Sequence, residues 1–168
     1  MLLAGGENGG KTTRAAELVA GLQQLGYLIT GFLAKGLWQA GVRSGFDLWE
    51  VSSGRTAPLA RRGLASDLMF GGYGFLPEAM QMGREALRPE RVSAADLVIV
   101  DEVGRWELSG GGWAKELDSL LEIPPKSTIL VVRSEFAFEV AARWGRQNPV
   151  QFDFREASAE RLLSIWRT

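Results

Sequence analysis

The 168-residue sequence predicts an α/β fold in which a mainly parallel sheet is flanked by helices and carries an inserted β-hairpin. Two observations carry that expectation. Asp96-Leu97-Val98-Ile99-Val100 and Thr128-Ile129-Leu130-Val131-Val132 are unbroken apolar runs of the kind found in strands buried on both faces of a parallel sheet. Around them, stretches with apolar residues every three or four positions alternate with strand-like segments, as crossover helices do. The composition, 46% apolar and 23% charged, is that of an ordinary globular chain, and the length predicts one domain over residues 1–168.

Each element follows in order. Met1-Leu2-Leu3-Ala4 is a short apolar run meeting Gly5, which reads as a buried strand entering a tight loop. From Lys11 to Leu25 the residues Ala15, Leu18, Val19, Leu22 and Leu25 recur with helical spacing, and Gly26 follows as a stop. Tyr27 to Ala34 and Arg43 to Val51 have strand composition on either side of the turn Gln39-Ala40-Gly41, which predicts the hairpin. Pro77 opens a second helix with Ala79, Met80, Gly83, Ala86 and Leu87 on one face, and Pro89 ends it. Helical patterns recur around Trp113 to Leu121, Ala137 to Trp144 and Ala159 to Trp166, with a short strand at Val150 to Phe154. The 21 glycines cluster at loops, with no repeat or linker that divides the chain.

Absences narrow the chemistry. Without histidine or cysteine, the chain has no imidazole base, no Ser-His triad, no His- or thiolate-ligated zinc, no thiol nucleophile and no disulfide. Carboxylates, lysine, arginine, hydroxyls and the backbone must do the work. A formal charge of −1 advertises no nucleic-acid or anionic-membrane partner. There is no signal-peptide pattern and no apolar run of about 18 residues, so no membrane partner and a cytoplasmic location are expected.

Gly5-Gly6-Glu7-Asn8-Gly9-Gly10-Lys11-Thr12 matches G-x-x-x-x-G-K-[ST], the Walker A pattern, and stands between a strand and a helix, where its mechanism requires it. Glycines let the backbone curl so that successive N–H groups converge on a phosphate at the positive end of the helix dipole. Lys11 reaches the β and γ oxygens, and Thr12 offers its hydroxyl to Mg²⁺, the expected cofactor. Gly5, Asn8, Gly9, Gly10, Lys11, Thr12 and Thr13 are the predicted nucleotide-binding residues, with Lys11 also catalytic.

The other half of the site should be an apolar strand ending in an acid. Asp101 follows Val100 and is the predicted metal ligand with Thr12. Glu102, one residue further, is suited to orient and deprotonate a water in line with the γ-phosphate, which favours hydrolysis over transfer to another acceptor. Arg133, after the strand Thr128 to Val132, is a candidate to neutralise transition-state charge. Arg61, Arg62, Arg143 and Arg146 are further arginine candidates without a ranking. Glu107 reads either as an anchor of the loop after the acidic strand or as an exposed residue, and Trp106 as packing or as a base-stacking ring. Leu108-Ser109-Gly110-Gly111-Gly112 looks like the signature sequence of ABC transporter ATPases, but it follows the acidic strand, whereas in those proteins it precedes it. A glycine-rich loop explains it.

Beyond these motifs, the sequence resembles the cancer-related nucleoside-triphosphatase family, small nucleoside-triphosphate phosphohydrolases also known from thermophilic prokaryotes. The resemblance rests on Gly5 to Thr13, on Gly31-Phe32 with Val42-Arg43-Ser44-Gly45-Phe46-Asp47, on Gly54 to Arg61, and on Gly72-Tyr73-Gly74-Phe75. Its most distinctive stretch is Val98 to Leu108, and after Leu121 the match is one of pattern only. The resemblance implies a RecA-like P-loop domain and Mg²⁺-dependent hydrolysis of nucleoside triphosphates to diphosphate and phosphate. Lys11, Thr12, Asp101 and Glu102 take the same roles in it. Glu7 and Asn8 stand where the family tends to have proline and small residues, and a carboxylate beside a triphosphate lowers affinity unless it points away. Trp106 replaces a smaller apolar residue. A central strand that starts at Met1 is short, which points to a start upstream.

The function expected is thus an NTPase acting on ATP, GTP or another triphosphate. Two alternatives are a small-molecule or nucleotide kinase and a nucleotide-dependent switch with negligible turnover. No guanine-specific motif is present, and a protein partner is left open.

Overall fold

The computed structural model describes residues 1–6, 9–145 and 150–166. Its strands are β1 (Leu2–Gly5), β2 (Ile29–Gln39), β3 (Val42–Glu50), β4 (Thr56–Arg62), β5 (Met69–Phe70), β6 (Tyr73–Phe75), β7 (Leu97–Val103), β8 (Thr128–Arg133) and β9 (Gln151–Asp153). The helices are α1 (Lys11–Gln24), α2 (Pro77–Ala86), α3 (Pro89–Ala94), α4 (Arg105–Leu108), α5 (Ala114–Glu122), α6 (Ala137–Trp144) and α7 (Ala159–Trp166). The strands form one nine-stranded sheet in the order β5-β6-β4-β3-β2-β7-β8-β1-β9. From β2 to β9 every pairing is parallel; from β2 to β5 every pairing is antiparallel.

The parallel half explains the unbroken apolar runs. Successive side chains of a strand point to opposite faces, and here both faces are covered. Leu2, Ala4, Val98, Val100, Leu130 and Val132 pack with α2, α5 and α6 on one side. Leu3, Leu97, Ile99, Ile129 and Val131 pack with Ala15, Leu18, Val19 and Leu22 of α1 and with Leu162 of α7 on the other. Phe32 and Trp113, with ring centroids 4.5 Å apart, tie β2 to the start of α5. Gly31 has φ 111°, and a Cβ there would run into the backbone oxygen of Ile99, so only glycine lets β2 lie this close to β7.

The antiparallel half is larger than the expected hairpin. The turn at Ala40-Gly41 is there, both residues with positive φ as a two-residue hairpin turn requires. Beyond β3 the chain adds β4, β6 and β5, for which the sequence pattern predicts no element. Pro58 sits in β4 opposite Asp47, where the register shifts between Phe46 and Asp47; a bulge is where a strand tolerates a residue without an N–H. Pro89 is a second difference. The helix from Pro77 ends at Ala86, and Pro89 opens the separate short helix α3, its fixed φ suiting a first helical turn.

Strand direction positions the site. In a parallel sheet the carboxyl ends of the strands share one edge, and ligands bind there. Gly5 of β1 is level with Arg133 of β8, Val132 with Val103 of β7, and Ala4 with Asp153 of β9. The segments after β1, β7, β8 and β9 therefore meet at one place.

Candidate active site

The glycine loop delivers the chain from β1 to α1. Gly10 caps α1 with φ 90°, a left-handed conformation that suits glycine, and no side chain caps the helix N-terminus. The first-turn N–H groups are thereby available to an anion, and no acidic residue occupies that turn. Gly5 lies against the ring of Phe154, which follows β9, and a Cβ on Gly5 would collide with that ring. The same ring lies against Gly9 and Gly10, so Phe154 forms the floor of the loop.

Lys11 is buried, and its Nζ donates to the Gly6 carbonyl at 2.7 Å. Burial pulls its ammonium below the ordinary lysine value; Glu102 and Asp101 resist, and Arg133 and Arg43 add to the lowering. Lys11 thus lies within the field of those four charges. Thr12, one residue on, donates from Oγ1 to Oδ2 of Asp101 at 2.7 Å, joining the first turn of α1 to the end of β7.

Asp101 is 1% exposed. Besides Thr12 it accepts from the Ala34 N–H at 3.1 Å and, through Oδ1, from the Glu102 N–H at 2.8 Å. Burial, and then the neighbouring Glu102 charge, push it up to about 7 against those three donors. Glu102 is half-buried with φ 59°, an uncommon conformation for a residue with a side chain, at the point where β7 slips register against β8. The bulge lets consecutive carboxylates serve one site instead of pointing to opposite faces of the sheet.

Glu107 is the anchor of the following loop. It is 3% exposed, and its two oxygens accept from the N–H groups of Gly104 at 3.0 Å and Trp113 at 3.3 Å. Burial pushes it up to about 7 despite these bonds.

The structure brings Gly5, Gly9, Gly10, Lys11, Thr12, Asp101, Glu102 and Arg133 to one edge of the sheet, and Thr13 is exposed on the first turn of α1. Asn8, like Glu7 and Arg146, lies outside the described residues. Arg61 and Arg143 are turned elsewhere. Arg61 donates to the Phe46 and Ala60 carbonyls and to Asp47, and Arg143 holds the carbonyls of Glu107 and Leu108 and pairs with Asp118. Trp106 packs on Phe70 and Phe75. Two contributors escaped the sequence reading, Phe154 beneath the loop and Arg43 near Lys11. Arg43 stands inside the Val42 to Asp47 stretch, but neither residue belongs to a pattern with an assigned role.

A divalent cation fits the donors present. The Thr12 hydroxyl and the buried Asp101 carboxylate are hard oxygen ligands. Among the described residues no group of three or more acidic side chains forms a metal cage.

The model of the NTPase family matches residues 1–157. Nucleoside-triphosphatase THEP1 of Methanopyrus kandleri is 29% identical over 168 residues, covering 97% of this chain and 92% of that protein. The THEP1 nucleoside-triphosphatase of Pyrobaculum aerophilum is 32% identical over 74% of this chain and 69% of its own length. In fold, the crystal structure of THEP1 from the hyperthermophile Aquifex aeolicus superimposes with a TM-score of 0.75 at 19% identity, covering 100% of this chain and 99% of that one. The solution structure of a human cancer-related nucleoside triphosphatase gives 0.70 at 22% identity, covering 99% and 94%. No helix among the described residues is long and apolar enough to cross a membrane. The chain belongs to the NTPase family, together with the THEP1 nucleoside-triphosphatases.

Proposed function

We propose that this chain hydrolyses nucleoside triphosphates at the γ-phosphate and that Glu102 orients and deprotonates the attacking water. The observation that carries this reading is the Thr12 to Asp101 hydrogen bond, which locks the phosphate loop to the acidic strand with Glu102 as the next residue at the same edge. The N–H groups of the loop and of the first turn of α1 hold the phosphates, and Lys11, released from the Gly6 carbonyl, neutralises the terminal oxygens.

Thr12 and Asp101 would hold Mg²⁺, which, when bound, neutralises charge on the β and γ oxygens. Glu102 takes the proton of a water whose oxygen bonds to the γ-phosphorus. The bond from that phosphorus to the bridging oxygen breaks, and the electron pair leaves with the diphosphate. Arg133, level with Gly5 and close enough to bear on Lys11, stabilises the charge that develops. Nucleoside triphosphate is the substrate class, in keeping with the relatives' names.

Hydrolysis of ATP in ¹⁸O-water tests the reading. One ¹⁸O in the released phosphate and none in ADP is the expected result. Label in ADP, or consumption of ATP without phosphate release, contradicts it.

A further inference from the structure

Beside Glu102 opens a cleft of about 580 Å³; Asp101, Glu102 and Arg133 of the hydrolytic site form one side of it, and the rest of its wall has no part in the hydrolytic mechanism. It lies between the antiparallel half of the sheet and the segment from Asp101 to Glu107, with Arg133 and Phe136 at its edge. Its volume is that of a small-molecule site. None of the described residues of the phosphate loop lines it.

Flat rings and guanidinium groups dominate the wall. Eight aromatic side chains and four arginines face it. Phe70 and Trp106 stand nearly parallel, 10° between planes and 5.3 Å between centroids. The Arg62 guanidinium lies 4.9 Å from the Tyr73 ring centre, and that of Arg43 lies 4.5 Å from Trp38 and 4.9 Å from Phe46. Three carboxylates also line the cleft, but Asp101 and Glu107 are buried and hydrogen-bonded by their own loops. Among the described residues, Arg62 and Arg105 meet no carboxylate; Arg62 donates to the Arg43 carbonyl and the Tyr73 hydroxyl. Stacking surfaces interleaved with guanidinium groups recognise a planar heterocycle that carries negative charge.

We propose that this cleft binds a second ligand of the nucleoside monophosphate class, separate from the triphosphate on the loop. The inference rests on the reading that Glu102 faces the γ-phosphate: a triphosphate so placed carries its base at the opposite end of the phosphate chain, which leaves the cleft to another molecule. Its base stacks on the outer face of the Phe70–Trp106 pair, and Arg62 binds its phosphate.

Calorimetric titration of AMP and GMP into the protein saturated with Mg²⁺ and the non-hydrolysable analogue AMP-PNP tests this. The expected result is one monophosphate per chain in addition to one AMP-PNP. Phe70→Ala should weaken the monophosphate about fivefold or more and Arg62→Gln about tenfold, each leaving AMP-PNP affinity within about twofold and so reporting an intact fold. Lys11→Ala, which disables the loop, should keep the monophosphate site, so that failure of the hydrolytic reading is told apart from failure of this one. Absence of monophosphate binding at millimolar concentration, binding that competes with AMP-PNP, or affinities unchanged in both cleft variants would overturn the proposal.

Discussion

Thr12 and Asp101 are 89 positions apart in sequence and 2.7 Å apart in the fold, the hydroxyl of one donating to the carboxylate of the other. That bond ties the first turn of α1 to the end of β7. Thr12→Ala removes a hydroxyl that satisfies the buried carboxylate and that serves as a cation ligand in the proposed mechanism. Affinity for Mg²⁺-ATP should fall about tenfold or more, while the affinity for ATP in EDTA changes little. Equal losses with and without Mg²⁺ would show that Thr12 serves the loop's structure instead.

Glu102 holds a left-handed conformation that costs an ordinary residue about 1 kcal/mol, and its charge stands beside buried Asp101. Glu102→Gly relieves both. Stability in urea should rise by about 1 kcal/mol while phosphate release falls at least about a hundredfold. A variant that loses stability would show that the bulge is held by the Glu102 side chain.

Gly5 and Phe154 are matched. Gly5→Ala drives a methyl group into the Phe154 ring and towards the Lys11 stem, and should cost about 1–3 kcal/mol together with nucleotide affinity. Shortening the ring with Phe154→Ala should recover part of the Gly5→Ala loss, a coupling that a double-mutant cycle reads directly. Strict additivity would remove Phe154 from the floor of the loop.

The buried carboxylates set a pH dependence. Burial raises Glu107 from an ordinary 4.5 to about 7, so between those values the native state keeps a proton that the unfolded chain has released. The stabilisation from this proton is complete below about 4.5 and lost as pH rises through about 7, and Asp101, raised from 3.8 to about 7, acts in the same sense. Glu50, Asp96 and Asp153 are held below their ordinary values and act oppositely, towards the acid end. Melting temperature of the ligand-free protein should therefore fall from pH 5 to 7.5, and Glu107→Gln should flatten that fall. An unchanged slope in the variant would mean that Glu107 is ionised throughout.

What the sequence made legible was local. The loop, the helix with its 3.6-residue period and the apolar strand ending in two acids are each contiguous, so their residue types carry their meaning without the fold. The buried alternation of Leu97 to Val100 between two helix layers left its mark as an unbroken apolar run. The antiparallel extension was not legible, because β5 and β6 are two and three residues long and β4 contains Pro58 at a bulge. Phe154 and Arg43 act through packing and field across distant strands, which no spacing records.

Single-turnover phosphate release with saturating Mg²⁺-ATP, for the wild type and for Glu102→Gln, with bound nucleotide quantified in both, tests the central claim most directly. The account predicts that both proteins bind nucleotide alike and that release in the variant is slower by about 10²–10⁴-fold. Equal release rates at equal occupancy would contradict it and remove Glu102 from the chemistry.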